Sequence, residues 1–153
     1  MDPDCDRTYS LPAGSLQSYL LGSLAATPAA RASMLICAVA AMSLHLNEPF
    51  ECASLYGLRG YAISCIQAAV TDPDTCHSDH TAMAIASLGV FETILGCDEA
   101  TQTHVRGLAS IKVARGGSLH WVLDGVLSWL ANLQRQQITK GTITILDRSN
   151  MET

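Results

Sequence analysis

The densest run of reactive side chains is Cys76-His77-Ser78-Asp79-His80. Cys, His and Asp are all zinc ligands, and Cys76 and His80, four apart, would share one face of a helix. The same run also reads as a plain helix start. Ser78 is then the cap, Asp79 sits in the positive first turn, and the histidines are solvated. No second ligand pair follows at a zinc-site spacing, because the chain contains neither CxxC nor HxxxH. A small metal-dependent enzyme around Cys76, His77 and His80 therefore ranks behind the structural reading. Nucleophilic catalysis has no better footing, since there is no GxSxG elbow and no Gly-rich loop between strand and helix. Acidic residues stand mostly at helix ends, where capping accounts for them. No catalytic residue, metal site or cofactor is expected, and the chain does not read as an enzyme.

Basic residues are equally unpromising as a nucleic-acid surface. Arg106 and Lys112 are six residues apart, about 240° around a helix, so they form no common face. Arg115-Gly116-Gly117 occurs once and reads as a helix end with a glycine cap. Glu92 and Arg106 are expected to meet across a helix hairpin as a partly exposed ion pair of modest worth.

These side chains depend on the elements that carry them. Leu16, Leu20 and Leu24 mark a short helix over 15–26. Thr27-Pro28 is a cap followed by proline at the first helical position, opening a second helix that runs to about Leu46. Asn47-Glu48-Pro49 ends it, and a third helix is expected over 50–70. Gly57 and Gly60 weaken that helix by about 1 kcal/mol each, so close packing is expected there. Ser78 starts a fourth helix that ends at Gly96, and Asp98 starts a fifth that ends at Gly116-Gly117. Ser118 is expected to cap a sixth, over 119–138. The run TITIL (142–146) alternates like a strand but has nothing to pair with. The expected fold is all-α, with about six helices joined by short turns. Residues 1–13 are read as a flexible acidic arm, 14–138 as the helical domain and 139–153 as an irregular tail.

Composition agrees. The chain has 153 residues, 48% of them hydrophobic and 15% charged, which suits one folded domain and excludes general disorder. A net charge of −5 with nine Lys and Arg argues against direct nucleic-acid binding. The acidic start is not a secretory signal, and the most apolar run, Met34 to Leu46, is too short to span a bilayer. The six cysteines are expected to be reduced, in cytosol or nucleus.

The run from Ser78 to Gly117 resembles the regulatory domain of fungal-specific transcription factors, which lies downstream of their binuclear zinc cluster. An apolar helix ends in an aromatic-Glu pair (Phe91-Glu92) and closes at a glycine (Gly96). A second carries a His, then a basic residue and a Gly (His104, Arg106, Gly107), and ends in Arg115-Gly116. Upstream, Met34 to Leu46 is similar to the family's Ala-rich helix ending in His-Leu, and Tyr56 to Val70 to the helix after it. The likeness covers roughly residues 28–135, and the zinc cluster with its CxxC pairs is absent. It implies an all-α regulatory module, placed in the nucleus and acting through protein or effector contacts rather than on DNA. A protein partner is the first expectation, with a second copy of the chain and a small-molecule effector behind it. The eight signature residues are expected to be structural. A helical scaffold left by truncation, with no activity of its own, is the competing reading.

Overall fold

A single residue separates the first two helices. Thr27 Oγ1 accepts from Ala30 N at 3.1 Å, and Pro28 follows at the first helical position. The Arg31 side chain reaches back to the Leu24 carbonyl at 3.1 Å, satisfying an acceptor that the preceding helix end leaves open. The computed structural model describes residues 13–46 and 53–149, with side chains over 18–46 and 55–136. Its helices are α1 (Ala13–Ala26), α2 (Pro28–Leu46), α3 (Ala53–Thr71), α4 (Asp79–Ile94), α5 (Asp98–Ala114) and α6 (Trp121–Ser149). Among the described residues there is no strand. The fold is all-α, as the periodicity predicts. The acidic arm through residue 12 and the 47–49 break lie outside the described residues.

The core gathers around α4. Every residue from Thr81 to Glu92 is buried except Val90, which is half-buried. Small side chains (Ala82, Ala84, Ala86, Ser87, Gly89) line much of it, so neighbouring helices approach its axis closely. The main one is α2, whose buried stripe is also small: Ala29, Ala30, Ala32, Ser33, Ile36 and Ala40. By length and composition α2 could cross a bilayer, a longer apolar helix than the 13-residue run marks. Here it packs against α1, α3 and α4. Leu108 from α5, with Leu123 and Leu130 from α6, completes the centre around Leu88 and Phe91.

The local chemistry at α4 and α5 is the expected one. Ser78 Oγ accepts from Thr81 N at 3.1 Å, and Asp79 lies in the first turn. Gly96 takes φ +73°, the left-handed conformation that closes a helix, and Gly116 and Gly117 take +74° and +90°. One expectation at α6 needs correction. The cap is His120 and not Ser118: its carbonyl accepts from Asp124 N at 3.0 Å, and its Nδ1 accepts from Val122 N at 3.4 Å. The α6 backbone is helical to Ser149. No proline interrupts this stretch, and β-branched residues cost a helix only tenths of a kcal/mol each.

Candidate functional site

The α4–α5 hairpin carries all eight signature residues on its helices or at their ends, and its register can be read from cross-contacts. Thr93 Oγ1 and Thr101 Oγ1 lie 3.3 Å apart near the turn. One step along, Gly89 faces His104: a Cβ built on Gly89 would sit 3.1 Å from His104 Cβ and 3.1 Å from Leu130 Cδ1. Next, Gly107 faces Ile85. At the open end, Arg115 pairs with Asp79. The paired positions sum to nearly the same number throughout, which is the signature of an antiparallel seam.

That register corrects the expected Glu92–Arg106 pair. Thr101 stands opposite residues 92–93, so Arg106 is five residues, about 7.5 Å, further along the axis. Its side chain is exposed and its Nε reaches only the Gln102 carbonyl of its own helix, at 3.4 Å. Glu92 instead takes Arg59 of α3, Nε to Oε1 at 2.6 Å. Its side chain is 0% exposed against 33% for Arg59. The other carboxylate oxygen, Oε2, is buried without a hydrogen-bond partner. The pair therefore joins α3 to the hairpin with its acid wholly inside and its base half outside.

His104 lies within electrostatic reach of both. Burial pulls its imidazole below the usual histidine range; Glu92 acts in the opposite direction and Arg59 in the same one. Among the described residues the His104 ring makes no hydrogen bond. It lines a cleft of about 250 Å³ where α3, α4 and α5 meet, walled mainly by Ile63, Ile66, Ile85, Leu88 and Gly107, with Gln67 and Thr103 also in the lining.

At the open end of the hairpin a second polar group assembles. The Tyr19 ring of α1 stacks on His120, with centroids 3.8 Å apart and planes within 3°. Burial, then the nearby Asp79, push the Tyr19 phenol up to about 12, against a smaller opposing effect of Arg115. Lys112 Nζ meets Asp124 Oδ1 at 2.5 Å beside it. These partly exposed pairs each contribute little, and together they pin α6 and α1 to the hairpin.

The remaining signature residues are packing and turn positions. Phe91 is buried in the core, and Gly96 and Gly116 supply the left-handed turns. Sequence reasoning missed Arg59 and Gly89. A glycine inside an apolar helix was the available signal for Gly89. The same signal pointed to Gly57 and Gly60, where close packing was expected. Among the described residues nothing lies within 4 Å of a Cβ at either.

The Cys76–His80 run is a turn and a cap. Asp79 is committed to Arg115, and Cys76 Sγ lies 3.4 Å from His77 Nδ1. Among the described residues no three His, Cys, Asp or Glu side chains gather to hold a metal. Cys37, Cys65, Cys76 and Cys97 are free thiols; burial pushes the Cys37 thiol up, away from reactivity.

One surface has no polar commitment. Leu35, Val39, Met42 and Leu46 recur at steps of four, three and four along the outer face of α2, all exposed. On α3, exposed Tyr56 and Tyr61 flank Gly57 and Gly60.

The sequence model of a family described as "fungal specific transcription factor domain" matches residues 23–143. No curated protein and no solved structure matches the chain.

Proposed function

Because the chain belongs to the fungal specific transcription factor domain family, with a role in regulating transcription, we propose that it acts through protein contacts made by its α2–α3 surface. The family is a transcription factor domain and not an enzyme family. The observation that carries the finer reading is the stripe Leu35, Val39, Met42 and Leu46. A lone exposed Leu is ordinary on a protein surface, but four on one helix face form a ridge that a partner helix can cover. Gly57 and Gly60 leave the neighbouring surface low, and the two tyrosines beside them have the amphipathic bodies enriched at interfaces. The chain does not touch DNA in this reading. Its nine Lys and Arg are outnumbered by fourteen acids, and among the described residues Arg59, Lys112 and Arg115 are committed to ion pairs. Its place of action is the nucleus.

The test is a reporter assay with the chain tethered to an unrelated DNA-binding domain. Val39 and Met42 are exposed, so Val39→Lys with Met42→Lys should leave the thermal midpoint within a few degrees. The same variant should remove the reporter response. An unchanged response at normal protein level would refute the surface. No response from the parent chain would favour the inert-scaffold reading.

A further inference from the structure

We propose that the cleft between α3, α4 and α5 is a binding site for a small neutral molecule, an apolar ring or chain bearing one hydroxyl that donates to His104. The proposal stands apart from the protein-contact reading, since the cleft lies on the hairpin side of α3 and none of its lining belongs to the α2 ridge.

Size comes first. The cleft offers about 250 Å³, and an apolar cavity of about 150 Å³ is enough for benzene. Its walls are Ile63 and Ile66 from α3, Ile85 and Leu88 from α4, and Gly107 from α5, with Gln67 of α3 and Thr103 and His104 of α5 as the polar lining. Gly107 keeps it open on one side, because a larger side chain there would project into the space. Apolar walls with a small number of placed polar groups are the usual makeup of a ligand site.

Polarity narrows the class. His104 lines the cleft and has no hydrogen-bond partner among the described residues, so its imidazole has free capacity. Burial favours the neutral ring, which keeps one nitrogen as an acceptor. A donor on the ligand is what that nitrogen lacks. Thr103, also at the rim, is already giving its hydroxyl hydrogen to the Glu99 carbonyl at 3.0 Å. Charge on the ligand is disfavoured from both sides. The nearby carboxylate of Glu92 is already balanced by Arg59 at 2.6 Å, so neither an anion nor a cation finds an uncompensated counter-charge. Neutral alcohols and phenols are the class that remains.

The experiment uses the full chain and three probes of one shape: 4-ethylphenol, 4-ethylanisole without the donor, and 4-ethylbenzoate as the anion. Binding is read by ¹⁵N NMR of the histidine rings at pH 7.5. The expected result is a saturable shift of the His104 ring with 4-ethylphenol, roughly tenfold tighter than with 4-ethylanisole, the worth of one hydrogen bond. His104→Phe, with binding read instead from the backbone amide shifts of Thr103 and Gly107 at the cleft, should bring the phenol down to the anisole's level. Filling the cleft from either wall, by Gly107→Leu or by Ile63→Trp, should weaken the phenol at least tenfold. If one of these fails to fold, the other decides. A His104 ring indifferent to 4-ethylphenol overturns the site, and that readout needs no variant. Binding of 4-ethylbenzoate as tight as that of the phenol overturns the neutral class.

Discussion

Removing Arg59 should cost more than removing Glu92, although the two share one contact. In Arg59→Met the Glu92 carboxylate stays at 0% exposure and loses the partner 2.6 Å away, while its Oε2 already has none. Breaking a fully buried pair in this way costs about 3–5 kcal/mol. Arg59 is one-third exposed, so water shares the solvation of the site and about 2–3 kcal/mol is expected. In Glu92→Met the guanidinium left behind can turn to solvent, and about 1 kcal/mol is expected. The double variant carries no charge and fills the space with apolar atoms. It should return to within about 1 kcal/mol of the parent, because well-packed apolar replacements of buried pairs are often near neutral. Urea unfolding followed by far-UV circular dichroism gives all four stabilities. In a thermal melt, at about 2–4 °C per kcal/mol, Arg59→Met should lower the midpoint by roughly 5–10 °C. Equal losses in the two single variants, or a double variant equal to their sum, would refute the inside-acid, outside-base description.

Acid should destabilise the fold through His104. Its folded-state pKa lies below that of the free side chain, about 6.5, so the unfolded chain takes up the proton first. The neutral ring's contribution is complete above about pH 6.5 and is lost as the pH falls from there toward the folded value. Glu92 limits the loss and Arg59 enlarges it. His104→Leu should flatten the urea midpoint between pH 7.5 and 5; an unaltered slope would show that another group governs it. The helix glycines should separate by sign. Gly57→Ala and Gly60→Ala meet open space and should each stabilise by up to about 1 kcal/mol. Gly89→Ala must displace His104 Cβ and Leu130 Cδ1, each 3.1 Å from the new methyl, and should lose about 1–2 kcal/mol despite the better propensity. Thermal melts that move all three the same way would contradict the seam geometry.

What could be read from the chain was what short-range chemistry decides. Thr27-Pro28, Ser78, Gly96 and Gly116-Gly117 act within a turn of themselves, and the helix bounds they imply are the ones observed. His120 escaped notice because histidine is not a usual cap, and its ring reaches the Val122 amide only in the geometry held by stacking on Tyr19. Pairings across helices were the harder part. Glu92 has several basic residues within plausible reach in sequence, and only the axial register of α4 on α5 shows that Arg106 is a turn and more too far. Arg59 lies 33 residues away on a third helix, and no local spacing connects it to Glu92. The cleft was invisible for the same reason: its walls come from three helices, each ordinary in isolation.

The near-total enclosure of α4 has a genetic consequence. From Thr81 to Glu92 only the half-buried Val90 offers any outward side onto which a larger or charged replacement could be turned. Most missense changes there will be felt as a shortage of folded chain, cleared by proteolysis, rather than as an altered regulator. Alleles that change what the domain does while leaving its amount intact will instead map to the outer faces of α2 and α3 and to the rim of the cleft.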